Sequence, residues 1–173
     1  MANTDRPMGF APKGPLLRQN YYSVGASNTP AIFQNDIVMA EADGKVGAAT
    51  AASVTKLGSA MNYIAVSTAT TDANPLMVSD HPDQLYVAQD DGSQDPPVQG
   101  EIFQGADHAD GAGSTVTLLS GHELALSTGG ISAGGFVILD SVNREDNDIT
   151  AINADWIVQL NIGEGLLTLN AGV

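Results

Sequence analysis

The residues in this chain best suited to chemistry are its carboxylates and its three histidines. A glycosidase needs two carboxyl groups facing each other, one as acid and one as base or nucleophile. Asp80 with Asp83 and Asp90 with Asp91 are near pairs along the chain. They flank a strand-like segment, at positions where Asp favours turns by bonding to nearby backbone. Twenty acidic residues make such pairs common by chance, so no catalytic residue is assigned. A polysaccharide-degrading enzyme would lose activity on mutation of these four, but an enzyme is not the expectation.

His81 follows Asp80, His108 lies between Asp107 and Asp110, and His122 precedes Glu123. A triad or metal set would have to gather them from segments far apart in the chain. No Gly-x-Ser-x-Gly elbow or His-Glu-x-x-His pair is present, so the histidines are expected to be exposed in loops. The glycines of 105–113 lack the strand and helix that frame a phosphate cradle. Asn143 to Asp148 offers oxygens for Ca²⁺ but misses the spacing and glycine of an EF-hand loop. No metal or cofactor is assigned.

Composition narrows the partners. Six basic residues stand against 20 acidic ones, a formal charge of −14, which makes nucleic acid and anionic membrane poor partners. With no cysteine, disulfides and thiol chemistry are excluded. No apolar stretch at the N-terminus resembles a signal peptide, and no segment approaches the ~20 apolar residues of a membrane span. The expectation is a chain made in a cytoplasm and not exported by a recognisable signal.

These groups must be held by short elements. At 173 residues the chain fits one domain. Its core would be aliphatic, because aromatics are only 5%. Nineteen glycines and eight prolines suit a β-sandwich or barrel. Strands are expected at Tyr21 to Val24, Ala31 to Phe33, Ile37 to Ala40, Asn62 to Val66, Leu85 to Gln89, Val116 to Leu119 and Glu123 to Leu126. Ala42-Asp43-Gly44-Lys45 carries the Asp-Gly hairpin signal. Gly47 to Ala60 is ambiguous between helix and loop, Thr68 to Pro75 reads as a turn, and Gly92 to Gly113 as a long irregular region. Phe136 to Leu139 reads as a strand covered on both faces. Trp156, Val158, Leu160 and Ile162 share one face of the clearest half-buried strand, and Leu166 to Leu169 is expected to close the sheet.

The first twenty residues differ from the rest. Arg6, Lys13 and Arg18 are half of all basic residues and are opposed there only by Asp5. Pro7, Pro12 and Pro15 forbid a helix and favour an extended conformation. Met8, Phe10, Leu16 and Leu17 are apolar residues along it. Residues 1–20 are therefore expected to be an extended arm for docking on another protein. Residues 21–173 form the β-rich body, which should stay folded when the arm is removed.

Four stretches carry a resemblance: the opening MANTDRP-x-GF-x-P-x-G, TPAIFQNDIV from Thr29 to Val38, HPDQLYVAQDDG from His81 to Gly92, and the ending ADWIVQLNIGEGLLTLNAGV. In this order they resemble the head decoration, or cement, proteins of tailed double-stranded DNA phages. The family commonly has a basic residue at the position of Gln159 and Asn-His at Gly163-Glu164. The resemblance implies an all-β chain with a β-barrel or β-tulip-like body and no active site. It implies a subunit on the exterior of the virion capsid that bridges neighbouring capsomers of the major capsid protein and assembles with itself. A homotrimer is expected, with a dimer as the other option. Arg6, Met8, Phe10, Lys13, Leu16, Leu17 and Arg18 would then contact the capsid. The alternative is a virion-surface glycan or host-adhesion module using the loops of 92–113, where Phe103 is the one aromatic residue.

Overall fold

The computed structural model describes residues 3–25, 30–53, 55–66, 75–93, 99–126 and 134–161. Among them the chain is all-β, with two antiparallel sheets, one 3-10 turn at Gln99–Glu101 and no α-helix. The strands are β1 (Ala11–Lys13), β2 (Gln19–Tyr22), β3 (Ile37–Ala40), β4 (Val46–Ala48), β5 (Lys56–Ala60), β6 (Leu76–Ser79), β7 (Leu85–Gln89), β8 (Gly105–Ala109), β9 (Glu123–Ala125), β10 (Phe136–Ser141) and β11 (Asp155–Leu160). The larger sheet runs β1-β7-β11-β10-β8-β9 and the smaller β2-β6-β5-β3-β4, and among the described residues neither closes into a barrel.

The centre of the larger sheet follows from side-chain alternation. Trp156, Val158 and Leu160 are buried while Ile157 and Gln159 are only partly so, and β11 pairs with β7 from Asp155↔Gln89 to Gln159↔Leu85. On β10, Phe136 and Ile138 are buried and Val137 and Leu139 half-buried. That strand therefore has one core face and one partly open face, not the two covered faces expected. In the smaller sheet, β3 and β4 form the hairpin of the Asp-Gly signal, with Gly44 at φ 81°. A turn that needs positive φ there favours glycine, which has no Cβ to clash.

Two apolar clusters result. The larger gathers Phe10, Tyr86, Phe136, Ile138, Trp156 and Val158 with Ile37 from the smaller sheet. The other gathers Val24, Ile32, Val38, Leu57, Leu76 and Val78.

Several elements depart from the sequence expectation. Within Gly47 to Ala60, β4 and β5 replace the expected helix or loop, and β8 lies inside the region read as irregular. Residues 115–117 form a turn, and Ile32 and Ile64 make only an isolated bridge to each other. Leu76–Ser79 is a strand that sequence patterning missed. The expected turn at residues 68–74 and the closing strand at residues 166–169 lie outside the described residues, as do Ile162 and Gly163-Glu164.

The largest correction concerns the N-terminal segment. It is extended, but it is not an arm standing off the body. β1 pairs with β7 at one edge of the larger sheet, and β2 pairs with β6 at one edge of the smaller. Proline withholds a ladder donor, which an edge strand tolerates; Pro12 pairs with Tyr86 there. Gly9, at φ 71°, allows the turn that carries Phe10 inward; a Cβ at Gly9 would lie 2.4 Å from the Asn35 carbonyl oxygen.

Candidate functional site

Only part of the expected contact set points outward. Phe10 is fully buried and stacks on Phe136, with ring centroids 4.5 Å apart. Its carbonyl accepts from Ser59 Oγ at 2.7 Å and its amide donates to the Asn35 carbonyl at 2.9 Å. It belongs to this chain's core and is not a contact for another protein. Met8 is half-buried, and its carbonyl accepts from Asn35 Nδ2. Arg6 is half-exposed, 3.9 Å from the buried Asp155 carboxylate, and its amide donates to Gln89 Oε1.

The outward remainder is the loop from Lys13 to Arg18, which joins the edge strand of one sheet to that of the other. Gln84, buried beneath it, fastens both ends. Its Nε2 donates to the Lys13 carbonyl at 3.1 Å, and its Oε1 accepts from the Leu17 amide at 3.0 Å. Arg18 closes the loop, with Nε donating to Asp80 Oδ1 and Nη2 to the Asp80 carbonyl, both at 2.9 Å. Asn20 and Tyr22 donate to the other Asp80 oxygen. Burial resists ionisation of Asp80, but hydrogen bonds from Tyr22, Asn20 and Arg18 outweigh it and hold its pKa below the usual value. Burial and this carboxylate push the Tyr22 hydroxyl up to about 12.

The loop is thus rigidly held while its apolar side chains face solvent. Leu16 is 41% exposed, Leu17 49% and Tyr21, just beyond on β2, 70%. Lys13 is exposed and makes no ion pair among the described residues. A fixed apolar projection flanked by a cation is suited to binding a protein surface.

The acidic pairs are used structurally. Both oxygens of Asp80 are engaged as above. Asp90 accepts from the amides of Gly92, Asn153 and Ala154 and from Trp156 Nε1. Asp83 is exposed beside His81. Gln159 donates to the Pro82 carbonyl and Asp83 Oδ1. In 143–148, Arg144 donates to Asp146 and Asp155, and Asn147 to the Val142 and Asp155 carbonyls. Among the described residues no group of three or more His, Asp or Glu is arranged to hold a metal ion.

Two histidines are buried, against the expectation of exposed loops. His122 Nδ1 accepts from the Ile37 amide at 3.3 Å, which leaves the ring proton on Nε2, 3.7 Å from Asp36 Oδ1. Burial and nearby His108 push His122 down to about 3, and burial pushes Asp36 up to about 6. His108 sits in β8, its ring 5.0 Å from that of His122. The only trace of this cluster in the sequence was the acidic residues beside each histidine.

Glu123 gives a pH-dependent prediction. Burial, then Asp5, Asp91 and Asp90, push it up to about 7 from 4.5. The folded chain keeps a proton that the unfolded chain gives up between those values, so stability falls as pH rises through this window. Glu123→Gln removes that penalty. Thermal melting should show the variant more stable than the native chain at pH 8 and equal to it at pH 4.

In comparison with known proteins, no family model, curated protein or solved structure matches the chain.

Proposed function

We propose that the chain is a capsid decoration, or cement, protein of a tailed phage. In this reading it has a β-barrel or β-tulip-like body, binds the outer surface of the head as a homo-oligomer, and seats its Lys13 to Arg18 loop on the major capsid protein. The observation that carries the reading is the braced loop with Leu16 and Leu17 held outward beside Lys13. The four stretches that resemble decoration proteins support it, and so does the acidity of the rest of the chain, which keeps a surface subunit soluble.

Cement of this kind acts by multivalency and mass action. Each loop contributes a modest contact, and linked copies raise affinity by roughly 10²–10⁴ over a single site. Because the subunit recognises the assembled lattice, binding stabilises the shell against heat and internal pressure. Most of the loop's contact energy would come from covering the exposed parts of the two leucines, on the order of 1 kcal/mol each.

The test is co-sedimentation with capsid shells that lack this subunit. The native chain should pellet with them. A Leu16→Asp, Leu17→Asp double variant with an unchanged circular dichroism spectrum should bind at least roughly a hundredfold more weakly across linked sites. Equal binding by the two proteins would overturn the assignment of this loop, and failure of the native chain to bind would overturn the function.

One observation favours a second reading, a glycan or host-adhesion module on the virion surface. Phe103 is 64% exposed at φ 70°, an open aromatic face beside the Gln99–Glu101 turn. Binding on a glycan array that is lost in Phe103→Ala would support it.

A further inference from the structure

A second outward feature lies apart from the Lys13 to Arg18 loop. A cleft of about 590 Å³ is walled by Pro30, Phe33, Tyr63, Val66 and Ala112, with Asp110 among its lining residues. Beside it stands the turn 114–118, of sequence Ser-Thr-Val-Thr-Leu, and Thr115 also lines the cleft. The turn is tightly anchored. Ser114 and Leu119 share a backbone bond of 2.9 Å, the Leu118 amide donates to the Ser114 carbonyl at 2.7 Å, and the Leu118 carbonyl accepts from the Gln34 amide at 3.0 Å.

This anchoring holds Val116 91% exposed, with Leu118 at 40% and Val66, on the cleft wall, at 57%. Leu118 does so at φ 60°, a left-handed conformation that a branched side chain adopts at a cost of about 1–3 kcal/mol. The strain falls on Leu118, and an isolated subunit recovers none of it by leaving Leu118 and the neighbouring Val116 in water. Burial of the valine in an assembly would offset it.

We propose that the Val116 turn of one copy enters the cleft of a second copy, and that this contact builds the homo-oligomer. The occupant follows from charge. The chain carries −14 overall, with 26 charged residues in 173, so two copies repel wherever their acidic surfaces meet. The turn has no charged residue, and the cleft lining contains only Asp110 and the buried Asp36. Neutral knob and nearly neutral hole lie side by side, which lets like-charged copies approach. Interface cores are likewise depleted of charge. The cleft is large enough for the tip of a turn and exceeds what one valine would fill. Because knob and hole are different surfaces, the contact forms a closed assembly when two copies exchange knobs reciprocally or when the rotation between neighbours closes a ring.

The inference rests on the self-association in the proposed function, but its test is separate from shell binding. The chain has no cysteine, so single-cysteine variants start from a clean background. Val116→Cys and Val66→Cys proteins, mixed and mildly oxidised, should give a disulfide-linked dimer on a non-reducing gel. Its yield should be at least tenfold above that of Val116→Cys mixed with Glu145→Cys, which places the thiol on an exposed loop elsewhere. Val116→Asp should convert the oligomer to monomer in sedimentation, with at least tenfold weaker association and an unchanged circular dichroism spectrum. A native chain that is monomeric at high concentration, equal cross-linking in the two mixtures, or an intact Val116→Asp oligomer would each overturn the knob-and-cleft contact. Shell binding by the native chain, measured by co-sedimentation, would stand or fall independently of these results.

Discussion

Phe10→Ala is expected to destabilise the fold by about 3–5 kcal/mol, the range for removing a large aromatic from a close-packed core. The ring is fully buried, stacked on Phe136 and edge-on to His108 with centroids 6.3 Å apart. Its loss would open a cavity where the N-terminal segment meets the larger sheet. Denaturant unfolding should show a lower midpoint with little change in slope. Leu16→Ala, in the same segment but 41% exposed, should cost under about 1 kcal/mol. The same reasoning reverses the expectation for truncation. Deleting residues 1–20 removes β1, Phe10 with all of its contacts in the larger cluster, and part of β2, so the remainder should lose its cooperative transition. A truncated chain with native stability would show that Phe10 does not close the core.

Asp107→Ala is expected to cost a similar amount, about 3–5 kcal/mol, by leaving a buried charge without its partner. Lys56 is fully buried in β5, and its Nζ lies 3.1 Å from Asp107 Oδ1 in β8, so the pair ties the smaller sheet to the larger. Without Asp107 the ammonium keeps only the carbonyls of Ser53 at 2.5 Å and Ala51 at 3.4 Å. Adding Lys56→Met removes the stranded charge and keeps the apolar stem, so the double variant should regain most of the lost stability. Lys56→Met alone should cost less than Asp107→Ala, because the Asp107 side chain retains 18% exposure and solvent.

The pH dependence has a fixed sign. Burial opposes ionisation of Asp107, but hydrogen bonds from His108 and Lys56 outweigh it and hold its pKa below the usual value. Its contribution is complete above the unfolded carboxyl pKa and is lost as pH falls through the lower folded value. Urea midpoints of the four proteins across the acid range would measure this. An Asp107→Ala cost under 1 kcal/mol, with no recovery in the double variant, would contradict the account.

These two residues also mark where the sequence was legible. β11 could be read directly, because Trp156, Val158 and Leu160 alternate with less apolar neighbours and a period of two has one structural meaning. Asp43-Gly44 was equally plain, since a tight hairpin requires positive φ. Phe10 was misplaced because three prolines looked like a segment excluded from the sheets. Proline excludes a strand from the interior of a ladder, not from its edge.

The strands β5 and β8 were hidden for a different reason. Lys-Leu-Gly-Ser-Ala and Gly-Ala-Asp-His-Ala carry no hydrophobic alternation. Their burial is tolerated because Lys56 of one pairs with Asp107 of the other across the two sheets, a long-range satisfaction that no local window contains. The outward loop was half legible. Its leucines and lysine were recognised as contacts, but their orientation depends on Gln84 and Asp80, more than sixty residues away in sequence.

The most direct test of the proposed function is electron microscopy of tailed-phage particles prepared with and without this subunit. The proposed function predicts the subunit on the outside of the head as a small oligomer, with the Lys13 to Arg18 loop against the major capsid protein. Density for the chain inside the head, or no difference between the two preparations, would contradict that prediction.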